Sequence, residues 1–108
     1  MKEMYDNQLS LIELTKNEEI RLAEISSNEL REKAKKARKD GVITEKEYRN
    51  ELINIEQVYT KNLTIIDENY KTKKTEINNE IAKSYDVIIK KLWEYNSLIN
   101  GIFDEDEE

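Results

Sequence analysis

The sequence predicts an all-α fold: an antiparallel helical hairpin whose second helix is much longer than the first. Three observations predict it. The 108 residues include no proline and only two glycines, so little in the chain interrupts a helix. Charged residues make up 39%, and the richness in Lys, Glu, Ile and Leu is typical of long helices. Ile, Leu and Tyr also recur at helical spacings, which argues against a disordered chain.

The first helix is predicted over about residues 3–39. Its apolar residues recur three or four apart, at Leu9, Ile12, Ile20, Ala23, Leu30, Ala34 and Ala37. A second set is interpreted as a stripe adjacent to the first, and it consists of Leu11, Leu14, Leu22 and Ile25. Together they predict a wide apolar face that packs against more than one neighbour.

Residues 40–44 are predicted to form the turn. Cations fill the last turns of the first helix, and Gly41 suits the left-handed conformation of a helix C-cap. Thr44 and Glu47 have the spacing of a capping box, and Ile43 is placed to pack on Tyr48 as a hydrophobic staple. Because so short a link joins two long helices, we expect an antiparallel hairpin and not a ligand-binding loop.

The second helix, about residues 45–100, carries an 11-residue repeat. In blocks of eleven from Tyr48 the eighth position is always isoleucine, at Ile55, Ile66, Ile77, Ile88 and Ile99. The first position is Tyr48, Tyr59, Tyr70, Ile81 and Leu92. Eleven residues over three turns keep such a stripe nearly straight, so a coiled-coil-like packing is expected. Lys74 and Asn78-Asn79 interrupt the stripe, and a break near Asn79 would give three helices.

The hairpin should leave the end of the second helix unpaired. Residues whose numbers add to about 84 should face each other, so the chain beyond about residue 82 overhangs. This overhang is the most apolar part of the chain, with Tyr85, Ile88, Ile89, Leu92, Trp93, Tyr95, Leu98, Ile99, Ile102 and Phe103. It either folds back within the chain or is buried against a partner. Asn-Asn is a weak turn, and Trp and Tyr are common interface anchors, so we expect a partner or oligomer interface.

Charge is distributed unevenly. The net charge is −6, but residues 31–39 carry +5 and the acidic tail, residues 104–108, carries −5. In one interpretation the basic run complements the dipole of the first helix and the acidic tail is a solvated terminus. In the other, the two charged segments guide assembly between chains. Nucleic-acid binding is not expected, because the basic run lacks interleaved aromatics and Glu45 and Glu47 follow it. Apolar runs of two or three residues are too short for a membrane span.

The sequence offers no recognisable catalytic chemistry. It contains no cysteine and no histidine, so the commonest general base and the usual zinc ligands are missing. We therefore expect a non-enzyme with no catalytic, cofactor-binding or metal-binding residues, folded as a single helical domain over residues 1–108. The N-terminus lacks the apolar core of a signal peptide, which favours a cytoplasmic or virion-associated protein.

The segment GVITEKEY, residues 41–48, resembles the G-x-I-T-x-x-E-[FY] turn of the SHOCT (short C-terminal domain) family, small helical pairs linked to oligomerisation. Polar helices with Asn, Lys, Ile and Tyr at near-eleven spacing are also similar to phage tail tape-measure and other virion-associated coiled-coil proteins. The resemblance implies a structural or assembly protein of a phage that forms homo-oligomers. The alternative is a small acidic binding protein that inhibits or adapts a host partner.

Overall fold

The computed structural model describes the backbone of residues 2–106 and the side chains of residues 2–101. Over this range the chain forms two α-helices, α1 (Lys2–Lys39) and α2 (Glu45–Asp106). Contacts between residues divide the chain into two compact units, unit 1 (Met1–Lys74) and unit 2 (Thr75–Glu108). The prediction of an all-α protein with a long second helix is confirmed.

The end of α1 is capped by glycine. Gly41 has φ of 75°, in the left-handed region. The amide of Val42 donates to the carbonyl of Ala37 at 2.9 Å, and the amide of Gly41 donates to the carbonyl of Arg38 at 3.1 Å. This is the hydrogen-bond pattern of a Schellman motif, which satisfies carbonyls that a helix end leaves without partners.

The start of α2 is held by the predicted capping box. The Glu47 amide donates to Thr44 Oγ1 at 3.1 Å, and the Thr44 amide donates to Glu47 Oε1 at 3.2 Å. Ile43 and Tyr48, the predicted staple pair, are both half-buried. The guanidinium of Arg38 lies 5.1 Å from the centre of the Tyr48 ring and also pairs with Glu45. The turn therefore joins the helices through both backbone and side-chain contacts.

Within unit 1, the 11-residue stripe of α2 is the packed face. All seven stripe positions from residue 48 to residue 70 are buried or half-buried, namely Tyr48, Leu52, Ile55, Tyr59, Leu63, Ile66 and Tyr70. Ile55 is the most buried of them, with 5% of its surface exposed. The sequence repeat thus marks the face of α2 that packs in unit 1.

The two predicted apolar sets of α1 differ in burial. Most of the first set is buried or half-buried, although Leu30 is exposed. The second set, Leu11, Leu14, Leu22 and Ile25, is exposed and does not extend the face that packs on α2, so its interpretation as a stripe adjacent to the first set is wrong. Packing of this set against a further neighbour stays a prediction. At 100° per residue the mean direction of the second set lies about 150° around the helix from the first set. We call these four residues the outer face of α1.

The packed face of α1 also includes polar and aromatic residues that apolar spacing alone did not identify. Tyr5 and Ser27 are buried, and Lys16 and Arg31 are half-buried. Ser27 Oγ has no hydrogen-bond partner among the described residues. Tyr5, Lys16 and Ser27 are eleven residues apart, so dividing α1 into blocks of eleven would have found them.

Cation–tyrosine contacts show the antiparallel pairing in unit 1. Lys16 Nζ lies 4.5 Å from the centre of the Tyr70 ring, and Arg31 lies 5.9 Å from that of Tyr59. The residue numbers of Lys16 and Tyr70 add to 86, two more than the predicted 84. Helical side chains lean toward the N-terminus of their own helix, so each tip lies level with a backbone position of lower residue number. Side chains that touch therefore have residue numbers that add to slightly more than those of facing backbone positions.

Helix α2 differs from the predicted element at two points. It is helical through Asn78 and Asn79, so the described residues contain no break that would create a third helix. It also continues past residue 100 to Asp106 and includes the first three acidic residues of the tail. A single helical glycine at Gly101 costs about 1 kcal/mol relative to alanine, which is too little to end a helix by itself.

Candidate interaction surface

Unit 2 displays the apolar surface that the sequence predicts. Every residue from Tyr85 to Leu98 is exposed, and Ile99 is half-buried. Among the exposed members of the predicted interface, the exposed fraction runs from 39% at Ile88 to 71% at Trp93. We call the following seven residues the unit 2 apolar surface: Tyr85, Ile88, Ile89, Leu92, Trp93, Tyr95 and Leu98. The side chains of Ile102 and Phe103, also predicted to belong to the interface, lie outside the described residues.

Helical spacing explains why this surface is broad. Ile88 and Leu92 continue the α2 stripe, and Tyr95 lies beside it, three residues after Leu92. A parallel row, Tyr85, Ile89 and Trp93, lies beside it at spacings of four. Leu98 lies on the other flank and, with Trp93, lines a shallow surface depression that also includes Lys90 and Glu94. The surface therefore offers two apolar rows and an aromatic ring beside a groove.

Charges around this surface are nearly balanced. Between residues 75 and 101 the chain has four acidic residues, Glu76, Glu80, Asp86 and Glu94, and three basic ones, Lys83, Lys90 and Lys91. Within residues 75–101 neither sign of charge predominates beside the apolar rows, and the acidic run 104–108 follows in the sequence. Recognition at this surface would therefore depend on apolar burial more than on long-range attraction.

The outer face of α1 is a second exposed apolar surface, within unit 1. The exposed fraction is 63% for Leu11, 66% for Leu14, 53% for Leu22 and 40% for Ile25. Ile25 also borders a shallow depression that includes Glu29 and Lys33. The sequence pattern identified these residues but placed them in a stripe adjacent to the packed face. Viewed along the axis of α1, these residues point in a different direction from Ala23 and Ser27, and this difference separates the two faces.

Two exposed ion pairs on the helices, Glu18–Arg21 and Asp67–Lys71, shift the pKa values of their members. A hydrogen bond from the Arg21 guanidinium, 3.0 Å from Glu18 Oε2, lowers the pKa of the Glu18 carboxyl. A hydrogen bond from Lys71 lowers the pKa of Asp67, and the charge of Lys16 on α1 adds to the effect. These are ordinary surface pairs, and their pKa shifts favour the charged forms.

The described residues contain no group of three or more acidic side chains that could hold a metal ion. Neither helix, over the same residues, has an apolar stretch suited to crossing a membrane. Comparison with protein-family models, curated proteins and solved structures gives no match to this chain. The two exposed apolar surfaces and the charges near them are the features of the molecule that bear on function.

Proposed function

We propose that the protein is a non-catalytic helical assembly protein whose copies associate through the unit 2 apolar surface. One observation carries the proposal: the run from Tyr85 to Leu98 exposes eight large apolar side chains, the seven of the unit 2 apolar surface and Val87, with Trp93 exposed at 71%. Soluble monomers rarely expose a contiguous apolar patch larger than a few hundred Å². Burial against another chain would contribute about 25 cal/mol for each Å² removed from water.

The chemistry of the patch suits a protein partner. Trp and Tyr supply large contact areas with few rotatable bonds, and they are enriched at the centres of interfaces. Trp93 and Tyr95 are both in the patch, and Lys90 and Glu94 border it. A phage virion or its assembly complex is the setting implied by the sequence resemblance, and it forms part of this proposal.

Sedimentation velocity over about 1–100 µM protein tests the proposal, since self-association depends on concentration. We expect the wild-type mass to rise above that of the monomer. The double change Ile88→Asp with Leu92→Asp should abolish the rise, because it places two charges among the apolar rows. The matched control is Ile53→Asp with Val58→Asp, since these side chains are also about half exposed, but in unit 1.

A monomer at about 100 µM would overturn homotypic assembly, since that concentration exceeds most useful dissociation constants. An unchanged mass for the Ile88 and Leu92 variant would overturn the assigned surface. A monomer that binds a different protein through Trp93 would instead support the second candidate function, a small acidic protein that inhibits or adapts a partner. Helicity that rises on partner addition would mark coupled folding.

A further inference from the structure

The outer face of α1 repeats with the same 11-residue period as α2. Leu11 and Leu22 are eleven residues apart, and so are Leu14 and Ile25. Continuing both series by eleven residues leads to Lys33 and Lys36. Along one side of α1, two apolar turns are therefore followed by cations near the C-terminal end.

The structure distinguishes the cations at this end of α1. Arg31 pairs with Glu56 at 2.9 Å, and Arg38 pairs with Glu45, so both arginines bind α2. Lys33, Lys35, Lys36 and Lys39 are exposed and make no ion pair within the described residues. We call these four residues the lysine cluster. Three of them line a shallow depression together with Glu32 and Asp40.

The lysine cluster carries more positive charge than is needed to balance the C-terminal end of α1. The carbonyls of Lys36, Ala37 and Arg38 already accept backbone amides from the turn. A helix C-terminus carries only about half a negative charge. A positive surface therefore remains for another group, and the carboxylates of Glu32 and Asp40 offset only part of it.

The chain itself contains a matching segment. The acidic run Asp104–Glu108 follows unit 2's apolar residues in the sequence, and no other acidic run exceeds two residues. Leu92, on the α2 stripe, and Tyr95, beside the stripe, precede this run. Both helices thus change from apolar to charged toward their C-terminal ends, with opposite signs.

We infer that the outer face of α1 binds unit 2 of a second copy, with α1 and the incoming α2 parallel. A residue of α1 then lies opposite the residue of the incoming α2 whose number is 70 higher, and this offset aligns the outer face of α1 with the apolar and acidic positions of α2. Leu22 then faces Leu92, Ile25 faces Tyr95, and Lys36 faces Asp106. The same offset places Leu11 opposite Ile81, whereas Leu14 lies opposite Ser84 and Lys33 opposite Phe103, so the alignment matches three apolar positions and one lysine.

This inference rests on the proposed function and identifies the surface that the unit 2 apolar surface binds. The two surfaces differ, so the contact is heterologous, and a bound pair still leaves one α1 outer face and one unit 2 apolar surface free. Assembly should therefore continue beyond a dimer as concentration rises, toward rings or open chains. Its charged part should weaken as salt rises from about 50 mM to about 500 mM, because screening shortens the reach of exposed charges.

A matched pair of substitutions tests the α1 surface. Leu22 and Val58 are 53% and 54% exposed, both in unit 1, but only Leu22 lies on the outer face of α1. We expect Leu22→Glu to weaken self-association about tenfold or more, and Val58→Glu to change it by less than about threefold. Sedimentation velocity measures both. Equal effects, or no effect of Leu22→Glu, would overturn the inference.

Charge reversal tests the register. The change Lys33→Glu with Lys36→Glu should weaken assembly, and so should Asp104→Lys with Asp106→Lys. Mixing the two variants should restore association, because the reversed α1 surface of one variant then meets the reversed run of the other, and the two carry opposite charges. Failure of the mixture to associate more strongly than either variant alone would overturn the pairing of lysine cluster and acidic run.

Cysteine cross-linking separates this inference from the proposed function. The chain has no cysteine, so single variants can be mixed and oxidised. Leu22→Cys with Leu92→Cys should cross-link, whereas Leu22→Cys with Val87→Cys should not, since Val87 lies off the stripe. If the wild type assembles but neither pair cross-links, only this inference falls. If the wild type remains a monomer, both proposals fall.

Discussion

Helix α2 carries one repeat through two different environments. The eighth position of the repeat is isoleucine in both units, yet Ile55 in unit 1 is 5% exposed and Ile88 in unit 2 is 39% exposed. In unit 1 the packed face of α1 accounts for the burial. The difference shows that a repeat specifies which side of a helix is apolar, whereas burial depends on a second surface with the same period.

The aromatic residues of the two units differ in the same way. In unit 1 the tyrosines at the first position of the repeat each lie near a cation of α1: Tyr48 near Arg38, Tyr59 near Arg31 and Tyr70 near Lys16. Each such contact contributes about 0.5–1 kcal/mol at an exposed site. In the described part of unit 2 no aromatic ring has such a contact. Trp93 and Tyr95 are therefore available for an external partner.

The largest expected effect compares the two isoleucines directly. Ile55→Ala should lower the free energy of unfolding by about 2–4 kcal/mol, because it removes buried methyl groups and leaves a cavity. Ile88→Ala should lower it by no more than about 0.5 kcal/mol when the protein is dilute. Urea unfolding followed by far-ultraviolet circular dichroism at about 1 µM protein measures both, since dilution suppresses association.

Equal losses at Ile55 and Ile88 in dilute protein would contradict the difference between the two units. Raising the protein concentration sharpens the test. If assembly buries Ile88, the effect of Ile88→Ala should grow with concentration while that of Ile55→Ala stays constant. A loss at Ile88 that does not change with concentration would count against a partner surface there.

Next in size is the contrast between the two glycines, one at the turn of unit 1 and one within the helix of unit 2. Gly41→Ala should destabilise by about 1–2 kcal/mol, because φ of 75° is unfavourable for any residue with a Cβ atom. Gly101→Ala should stabilise by up to about 1 kcal/mol, since alanine favours the helix. Neither added Cβ atom meets a neighbour within 4 Å, so steric clash does not confuse the comparison.

Thermal unfolding of the two glycine variants should therefore shift in opposite directions. A loss of stability from Gly101→Ala would show that residue 101 is not helical in solution. A neutral Gly41→Ala would contradict the left-handed cap that ends α1. The comparison needs no assumption about partners, because both effects arise from the backbone alone.

The turn was predictable from sequence because its signals are local. Gly41 and the Thr44–Glu47 pair act through hydrogen bonds over three or four residues, and short-range chemistry determines those bonds. The stripe of α2 was predictable from its period. These features account for the two helices, their antiparallel pairing in unit 1 and the exposed residues of unit 2.

The faces of α1 were harder to predict, because the packed face uses residues that apolar patterning ignores. Lys16 and Arg31 are charged at their tips but pack their stems between helices, and Ser27 is small enough for close approach. Leu11 and Leu22, by contrast, are apolar and exposed. Hydrophobicity alone therefore does not distinguish the two faces, whereas the 11-residue spacing and the contact with α2 do.

A smaller effect is expected at the capping box of unit 1. Thr44→Ala should cost about 1 kcal/mol, because the Glu47 amide loses its acceptor. Thr64→Ala is the matched control, since the Thr64 hydroxyl donates to the Thr60 carbonyl within the helix at 3.1 Å. Alanine is the better helix former there, so stability should stay equal or rise slightly. Urea unfolding that shows equal losses would contradict a specific role of the cap.

The smallest expected effect is a titration shift that reports helix pairing in unit 1. The pKa of Asp67 is lowered first by the hydrogen bond from Lys71 and also by the charge of Lys16 on α1. Lys71→Gln should therefore raise the pKa of Asp67 strongly, and Lys16→Gln should raise it less. Carbon-13 NMR of the Asp67 carboxyl during an acid titration measures both changes.

The sign of the pH effect follows from the direction of the shift. Because the folded state lowers the pKa of Asp67, the associated stability is present above the ordinary aspartate pKa of about 3.9 and is lost as pH falls through the lowered value. Both variants should make the protein less sensitive to acid in that range. If Lys16→Gln leaves the pKa of Asp67 unchanged while Lys71→Gln raises it, α1 does not lie against this part of α2 in solution. That result would remove the difference between the two units, because the stripe of unit 1 would then need an external partner as much as that of unit 2.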